Sequence, residues 1–203
     1  MPRTSTTANA VLGLLALRPR WSTWELATQL RRNLRFFWPR AESRVYDVAK
    51  ELASSGAAHA EQSFTGRRAR TSYAITPAGR KRLSAWLAQP PRATTLECEP
   101  LLRILLADLC THDQLLAAVA QVRADADAIQ EVGRVVAGEY SAGTAPFQDD
   151  VHARALVFDF LWTHAEQLRL WSERAEERIR HWPNETAAQR AAAGVAAIDR
   201  RVG

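Results

Sequence analysis

The feature that most constrains the fold is a change of pattern between residues 58 and 75. Residues 58–64 and 70–75 have the composition of two short strands, and residues 65–69 between them include a glycine. This is the pattern of a β-hairpin with a glycine-containing loop. Thr76 and Pro77 follow, and a threonine cap with proline in the first helical position begins a helix. The segment therefore predicts one hairpin followed directly by a helix.

Three helices are predicted before the hairpin. The first covers residues 7–17, and the second begins at a cap at Ser22 or Thr23 and carries leucines four residues apart. The third runs from about residue 42 to residue 55 and ends before Gly56, a residue type that commonly follows a helix. Three helices, a hairpin and a fourth helix form the order of a winged helix-turn-helix. The predicted fold class is therefore mainly α, with a two-stranded wing in the N-terminal domain.

Beyond residue 90 every patterned segment is helical, and a proline pair separates the two parts. A capping box at residues 111–114 begins one long helix, and a second long helix is predicted from Val151 to Trp182. The predicted domains are a winged helix-turn-helix domain (1–90), a linker (91–100), a helical dimerisation and effector domain (101–182) and a polar tail (183–203).

Charge is divided between the two parts of the chain. Residues 1–90 hold 15 Lys and Arg and 5 Asp and Glu, a net charge of +10, whereas residues 91–203 have a net charge of −5. Localised positive charge supplies most of the non-specific affinity for phosphate backbones. Charge alone does not distinguish DNA from RNA or an anionic membrane, but the winged helix-turn-helix pattern favours double-stranded DNA.

The candidate DNA contacts lie on the third helix and on the hairpin. Arg44 is the candidate for a base edge, because its guanidinium can donate two parallel hydrogen bonds. The alternative for the hairpin arginines is a solvated loop, and the alternative for Tyr46 is packing against the second helix. The full predicted set is Ser43, Arg44, Tyr46, Lys50, Arg67, Arg68 and Arg70.

The last long helix carries residues at alternating spacings of four and three, the pattern of a coiled-coil seam. We expect this seam to hold a homodimer. For the histidine in it we expect a buried, hydrogen-bonded structural role, with a pH or ligand sensor as the alternative. The first part of the same helix, residues 156–162, is apolar on nearly every side and is expected to be buried all round. The predicted dimer interface comprises Val157, Leu161, His164, Leu168, Trp171 and Trp182.

Several aromatic residues exceed what a helical seam requires. Aromatic side chains suit flat ligands through stacking and burial of area, so we expect a small aromatic effector, with core or interface packing as the alternative. The candidate effector residues are Trp38, Phe158, Phe160, Trp162 and Trp171.

Other classes of function are not supported by the pattern. No apolar run is long enough to span a bilayer, and no secretory signal is evident, so we expect a cytoplasmic protein. The histidines, cysteines and acids show no metal-ligand spacing, and no nucleophile or phosphate-loop motif is present. We therefore expect no metal, no cofactor and no enzymatic activity. Cys98 and Cys110 are expected to be reduced.

Five stretches of the chain match the pattern of one known family: Val11–Leu17, Ser43–Tyr46, Gly66–Gly79, Glu99–Asp108 and the Trp171…Trp182 ending. Through them the chain resembles the PadR family of bacterial transcriptional regulators. It implies a homodimeric DNA-binding regulator, dimerised through its C-terminal helices and released from DNA by a small, frequently aromatic effector. We expect a repressor that binds a pseudo-palindromic operator.

Two residues depart from the family pattern and keep other functions open. Trp24 stands where the family usually has a tyrosine that reaches phosphate, and Asp47 places an acidic residue in the recognition helix. One alternative is an interaction module with a winged helix that no longer binds DNA. The other is an enzyme that uses the hydrophobic helical domain, against which stands the lack of a catalytic motif.

Overall fold

The computed structural model describes residues 5–39, 44–65 and 68–202. The chain divides into two compact units, an N-terminal unit of residues 1–94 and a C-terminal unit of residues 95–203. Each unit has its own elements and its own buried side chains.

The described part of the N-terminal unit contains four helices and a small antiparallel sheet. The helices are α1 (Thr6–Leu17), α2 (Thr23–Leu34), α3 (Val45–Ser54) and α4 (Pro77–Leu87), and the strands are β1 (Trp21–Ser22), β2 (Ala58–Thr65) and β3 (Arg68–Ile75). The order across the sheet is β1-β3-β2, with β3 antiparallel to both neighbours. This is the predicted mainly helical fold with a hairpin wing.

Local capping chemistry fixes the ends of these helices as the sequence predicts. Ser22 forms a capping box with Glu25 at the start of α2, and the Thr76 hydroxyl accepts from the Gly79 N–H at the start of α4. At the end of α3, Gly56 has a φ of 73° and donates to Ala53. Ala57 donates to Leu52, which completes a Schellman motif.

The core of the N-terminal unit is built from the inward faces of its first three helices and β1. Apolar side chains at helical spacing meet there because α1 and α2 both pack against α3. The apolar side chains of this unit's described residues that are at most 1% exposed are Val11, Leu12, Leu15, Trp21, Leu26, Leu30, Val45, Val48, Ala49 and Leu52.

The described part of the C-terminal unit is helical throughout. Its α-helices are α5 (Glu99–Leu105), α6 (His112–Ser141), α7 (Val151–His181) and α8 (Ala187–Val202), and its 3₁₀ turns are Ala107–Leu109, Gln148–Asp150 and Trp182–Asn184. Helices α6 and α7 pack along each other in opposite directions. His112 at the start of α6 meets Ile179 near the end of α7, with His112 Nε2 3.1 Å from the Ile179 carbonyl oxygen.

Several predicted boundaries were wrong. The strands extend to Thr65 and Arg68, so Arg68 is a strand residue and not a loop residue, whereas Arg70 lies in the strand as predicted. Charged residues beside a glycine are typical of a loop, but an exposed hairpin tolerates them because its ladder needs only backbone groups. Strand β1 was missed because two residues carry no periodic signal. Helix α8 occupies most of the predicted tail at 183–203.

The expectation that residues 156–162 are buried all round was also wrong for the single chain. Leu156, Val157 and Phe160 are largely exposed, whereas Phe158 and Trp162 are half-buried. A helix that is apolar on every side requires cover on every side. Helix α6 covers only one of those sides.

Candidate nucleic-acid interface

Helix α3 separates its apolar and polar residues onto two faces. Val45, Val48 and Leu52 are buried, and they anchor the helix to the core. The opposite face consists of exposed residues, with Tyr46 about half exposed. Its members are Arg44, Tyr46, Asp47, Lys50 and Glu51. Three of the predicted DNA contacts therefore lie together on one exposed face, and Ser43 lies outside the described residues.

Arg44 occupies the N-cap position of α3 and makes no capping hydrogen bond. A cation at a helix N-terminus opposes the helix dipole, so Arg44 does not stabilise the helix that it precedes. Its Nη2 lies 3.8 Å from Glu51 Oε1, and both side chains are more than half exposed. Such a surface pair contributes about 0–1 kcal/mol. The Arg44 guanidinium can therefore leave Glu51 for an outside acceptor at little cost.

The hairpin places Arg70 beside helix α2. Arg70 Nη2 lies 3.1 Å from Glu25 Oε2, and the Arg70 side chain is about half exposed. Arg70 pairs with Ser63 across the β2–β3 ladder. Arg68 pairs with Thr65 at the end of the described ladder, and Arg67 and the Arg68 side chain lie outside the described part of the chain.

Glu25 links the start of α2 to the wing. Its carboxylate accepts from the Ser22 N–H (2.7 Å) and from the Ser22 hydroxyl, and it also faces Arg70. The Ser22 hydrogen bonds, followed by the charge of Arg70, hold the pKa of Glu25 below its usual value, although partial burial acts in the opposite direction. A phosphate that bound Arg70 would compete with this carboxylate. Sequence reasoning missed the contact because 45 positions separate the two residues.

Trp24 lies in the first turn of α2 with 70% of its surface exposed. An indole N–H donates a hydrogen bond but accepts none, so it can approach a phosphate oxygen as a tyrosine hydroxyl does. Trp24 follows the Ser22 cap and precedes Glu25. The departure from the family pattern therefore leaves a hydrogen-bond donor at the same end of α2.

The candidate effector residues do not form one cluster. The rings of Phe158 and Trp162 stack at 5.8 Å with an interplanar angle of 15°. A Cβ added at Gly133 of α6 would come within 3.1 Å of Trp162, so this glycine allows the indole to approach α6. Phe160 is 62% exposed and stacks on His164 at 6.4 Å.

The remaining two effector candidates lie elsewhere. Trp171 packs against the buried cluster of Leu115, Val119 and Ile179. Trp38 belongs to the N-terminal unit, where its Nε1 donates to the Thr7 hydroxyl at 3.2 Å. The pair that the structure brings together is therefore Phe158 and Trp162.

The residues that pack α7 against α6 within one chain are distinct from the predicted dimer interface, which stays a prediction. On α7 the fully buried residues are Ala165, Ser172 and Ile179, each seven positions from the next. Of the predicted interface residues, His164 and Trp171 are half-buried beside this seam, and Val157 is exposed. Small residues carry little hydropathy signal, but they let α6 approach closely. The other predicted members, Leu161, Leu168 and Trp182, are half-buried.

The described ranges give no sign of two other kinds of site. No helix in them is both long enough and apolar enough to cross a membrane. They also contain no group of three or more His, Cys, Asp or Glu side chains that could hold a metal ion.

No protein-family model matches the chain, and no curated protein matches it in sequence. Solved structures do match it. The PadR-like transcriptional regulator BC1756 from Bacillus cereus aligns with a TM-score of 0.71 at 14% identity, covering 86% of this chain and 98% of that one. Bacillus subtilis PadR in complex with operator DNA aligns with a TM-score of 0.66 at 19% identity, covering 86% and 99%.

The same Bacillus subtilis protein in complex with p-coumaric acid aligns with a TM-score of 0.60 at 16% identity, covering 87% of this chain and 98% of that one. These alignments include almost all of each matched chain. They confirm the winged helix-turn-helix followed by long C-terminal helices. Over most of its length, the chain has the fold of the PadR-like transcriptional regulators.

Proposed function

We propose that the protein is a DNA-binding transcriptional regulator that binds a pseudo-palindromic operator as a homodimer and represses transcription. The observation that carries the proposal is the exposed polar face of α3, with Arg44, Tyr46 and Lys50 opposite a fully buried face. A helix of this kind is the element that enters the major groove in helix-turn-helix proteins. The net charge of +10 on residues 1–90 favours the same partner. A protein that binds operator DNA in this way would act in the cytoplasm.

The test is a mobility-shift assay with the DNA that flanks the protein's own gene. We expect a specific complex, and we expect Arg44→Ala to relax the sequence preference at one position of each half-site, costing about 1–3 kcal/mol there. Arg174→Ala is the matched control, because Arg174 is an exposed arginine of the C-terminal unit. Failure of the wild-type protein to discriminate this DNA from unrelated DNA would favour the interaction module.

The homodimer is supported by the apolar side chains that the C-terminal unit leaves uncovered. Leu102, Leu105 and Leu109 are more than half exposed around α5, as are Leu156 and Phe160 on α7. Large apolar side chains that are exposed together on one protomer mark an association surface. We expect Phe160→Asp to dissociate the dimer in sedimentation while the protomer stays folded, since Phe160 is outside the core. A wild-type protein that sediments as a folded monomer at micromolar concentration would refute the dimer.

The effector is proposed to be a small aromatic molecule that binds beside Phe158 and Trp162. The stacked pair against Gly133 supports this, as does the complex of Bacillus subtilis PadR with p-coumaric acid. Binding would release DNA if the ligand prefers a dimer whose recognition helices miss the spacing of successive major grooves. Because the chain has seven tryptophans, titration of phenolic compounds should compare the wild type with Trp162→Phe. A quench that is identical in both proteins would place the ligand elsewhere.

A further inference from the structure

The start of the C-terminal helix α8 is held firmly to the end of α7. Arg178 and Glu185 form a bidentate ion pair, with Nη1–Oε1 at 2.9 Å and Nη2–Oε2 at 3.0 Å. Trp182 between them packs against the buried cluster of Leu115, Val119 and Ile179. A bidentate arginine–carboxylate pair fixes orientation as well as distance. The turn that leads into α8 therefore has a defined geometry.

The first turn of α8 is capped on both sides. The Gln189 side chain accepts from the Thr186 N–H at 2.8 Å, and the Thr186 hydroxyl accepts from the Gln189 N–H at 3.2 Å. Arg190 Nη1 also donates to the carbonyls of Trp182 and Glu185, at 3.0 and 2.9 Å. These bonds fix the direction of the first turn of α8 relative to the end of α7.

Beyond this fixed start, α8 has no cover in the single chain. None of its residues is buried, and Val195, Ile198 and Val202 are 60%, 65% and 83% exposed. With Ala188 and Ala191 they form an apolar stripe at spacings of three and four, the pattern of a helix packed in a coiled coil. An isolated helix of this length is marginal in water. The stripe therefore requires a partner surface.

A second uncovered apolar surface lies in the same unit, beside the cluster that also holds Trp182. One side of helix α5 and of the 3₁₀ turn after it packs against the buried cluster of Leu115, Val119 and Ile179. The residues that make this contact are Ile104, Ala107 and Cys110. Their outer side is a patch of five exposed leucines, which we name the α5 leucine patch: Leu101, Leu102, Leu105, Leu106 and Leu109.

The charges beside the two surfaces are opposite. Helix α8 carries three arginines and one aspartate, a net charge of +2. The segment from residue 97 to residue 109 carries three acids and one arginine, a net charge of −2. Opposite net charges favour the association of these surfaces and fix their register. The α5 leucine patch therefore suits a basic amphipathic helix.

Both surfaces are uncovered in the same protomer, so α8 does not reach the leucine patch of its own chain. A two-fold dimer offers each surface twice and covers both when the helices are exchanged. The matched regulators align over 98–99% of their own chains but over at most 87% of this one. About an eighth of this chain therefore has no counterpart in those structures.

We propose that α8 of each protomer docks on the α5 leucine patch of a second copy of this chain, so that the two C-terminal helices are exchanged across the dimer. The inference rests on the homodimer of the proposed function. It adds the segment that holds the dimer together and the surface that receives it. The exchanged helix buries Val195, Ile198 and Val202 against the partner's leucines.

Cross-linking between different copies tests the exchange. In a full-length background with Cys98→Ser and Cys110→Ala, one chain carries Leu105→Cys and a second, differently tagged chain carries Ile198→Cys. After co-expression, a short bismaleimide should join the two tagged chains. Ala197→Cys, on the face of α8 opposite the apolar stripe (exposed in the single chain), is the matched control and should give at least about tenfold less product.

A second measurement, of the dimer dissociation constant together with circular dichroism, distinguishes a loss of docking from a loss of folding. Ile198→Asp should raise the dimer dissociation constant at least about tenfold relative to Ala197→Asp, with the helical circular dichroism of the rest of the chain retained. Equal cross-linking by the Ala197→Cys and Ile198→Cys chains, or an unchanged dissociation constant, would overturn the exchange. A wild-type chain that is monomeric would refute the proposed homodimer itself, whereas a stable dimer without the cross-link would refute only the exchange.

Discussion

The two units of this chain complete their cores in different ways. In the described part of the N-terminal unit, ten apolar side chains are at most 1% exposed, and the three helices and the strand that carry them pack around one core. In the C-terminal unit, the buried residues form a narrow strip between α6 and α7, while large apolar side chains of α5, α7 and α8 remain exposed. The first unit is complete in one chain, whereas the second presents surfaces that a second copy would cover.

The largest expected effect is on the free energy of unfolding, and its dependence on protein concentration should differ between the two units. Leu12→Ala in α1 should lower the free energy of unfolding by about 2–5 kcal/mol at every concentration, because it opens a cavity in a closed core. Leu105→Ala removes a side chain that is 79% exposed in one protomer. Its effect should grow as the dimer forms and vanish in the monomer. Thermal unfolding across a hundredfold range of concentration measures both. A concentration-dependent loss for Leu12→Ala would break the comparison.

The next largest effect comes from the close packing of the start of α4 against Ala57 and Ile75. A Cβ at Gly79 would overlap the Ala57 carbonyl oxygen and lie 2.9 Å from Ile75, whereas a Cβ at Gly13 would meet nothing within 4 Å. We expect Gly79→Ala to destabilise the protein by about 1–3 kcal/mol through forced backbone movement. Gly13→Ala should stabilise it by about 0.5–1 kcal/mol, because alanine favours a helix interior. Denaturant unfolding of the two variants should therefore show opposite signs.

The smallest of these effects concerns the Glu25 link between α2 and the wing. The pKa of Glu25 is lowered in the folded protein, so the ionised carboxylate contributes stability above its ordinary value of 4.5. That contribution is lost as the pH falls from there through the lower folded pKa. Glu25→Gln keeps an acceptor for Ser22 but loses the charge. We expect it to cost about 0.5–1 kcal/mol near pH 7.

The measurement for Glu25 is the difference in unfolding free energy between the wild type and Glu25→Gln as a function of pH. The difference should shrink toward zero below the folded pKa, where both side chains are neutral. A difference that is constant from pH 7 to pH 3 would show that the Glu25 charge has no part in holding the wing.

Features that depend on neighbouring residues were predictable from the sequence. The caps at Ser22, Thr76 and Thr111 and the glycine end of α3 follow from side-chain chemistry within one turn. The apolar stripe of α6 also follows from helical spacing, and Leu115, Val119, Val122 and Ile129 in it are buried. Local pattern therefore predicted the order of the helices from α1 to α7 and of the hairpin between them, with helix boundaries within a few residues.

Features that depend on distant residues or on small side chains were not predictable. Strand β1 exists because Trp21 pairs with Tyr73, and Arg70 is positioned by Glu25. Ala165 and Ser172 form the close contact of α7 with α6, although neither gives a hydrophobic signal. The exposure of Leu156 and Phe160 was missed because the same apolar pattern suits a core and an association surface.

The central claim is that the wing and α3 of a dimer hold operator DNA, and the salt dependence of binding tests it most directly. The log of the affinity should fall linearly with the log of the salt concentration, with a slope of about −0.9 for each phosphate contact. If each subunit places Arg67, Arg68 and Arg70 on phosphates, replacing all three with alanine removes on the order of six contacts. The slope should then become less negative by about 5, so that binding depends less on salt. The control Arg174→Ala should leave it unchanged. A triple variant with the wild-type slope would contradict the claim and assign the wing to solvent.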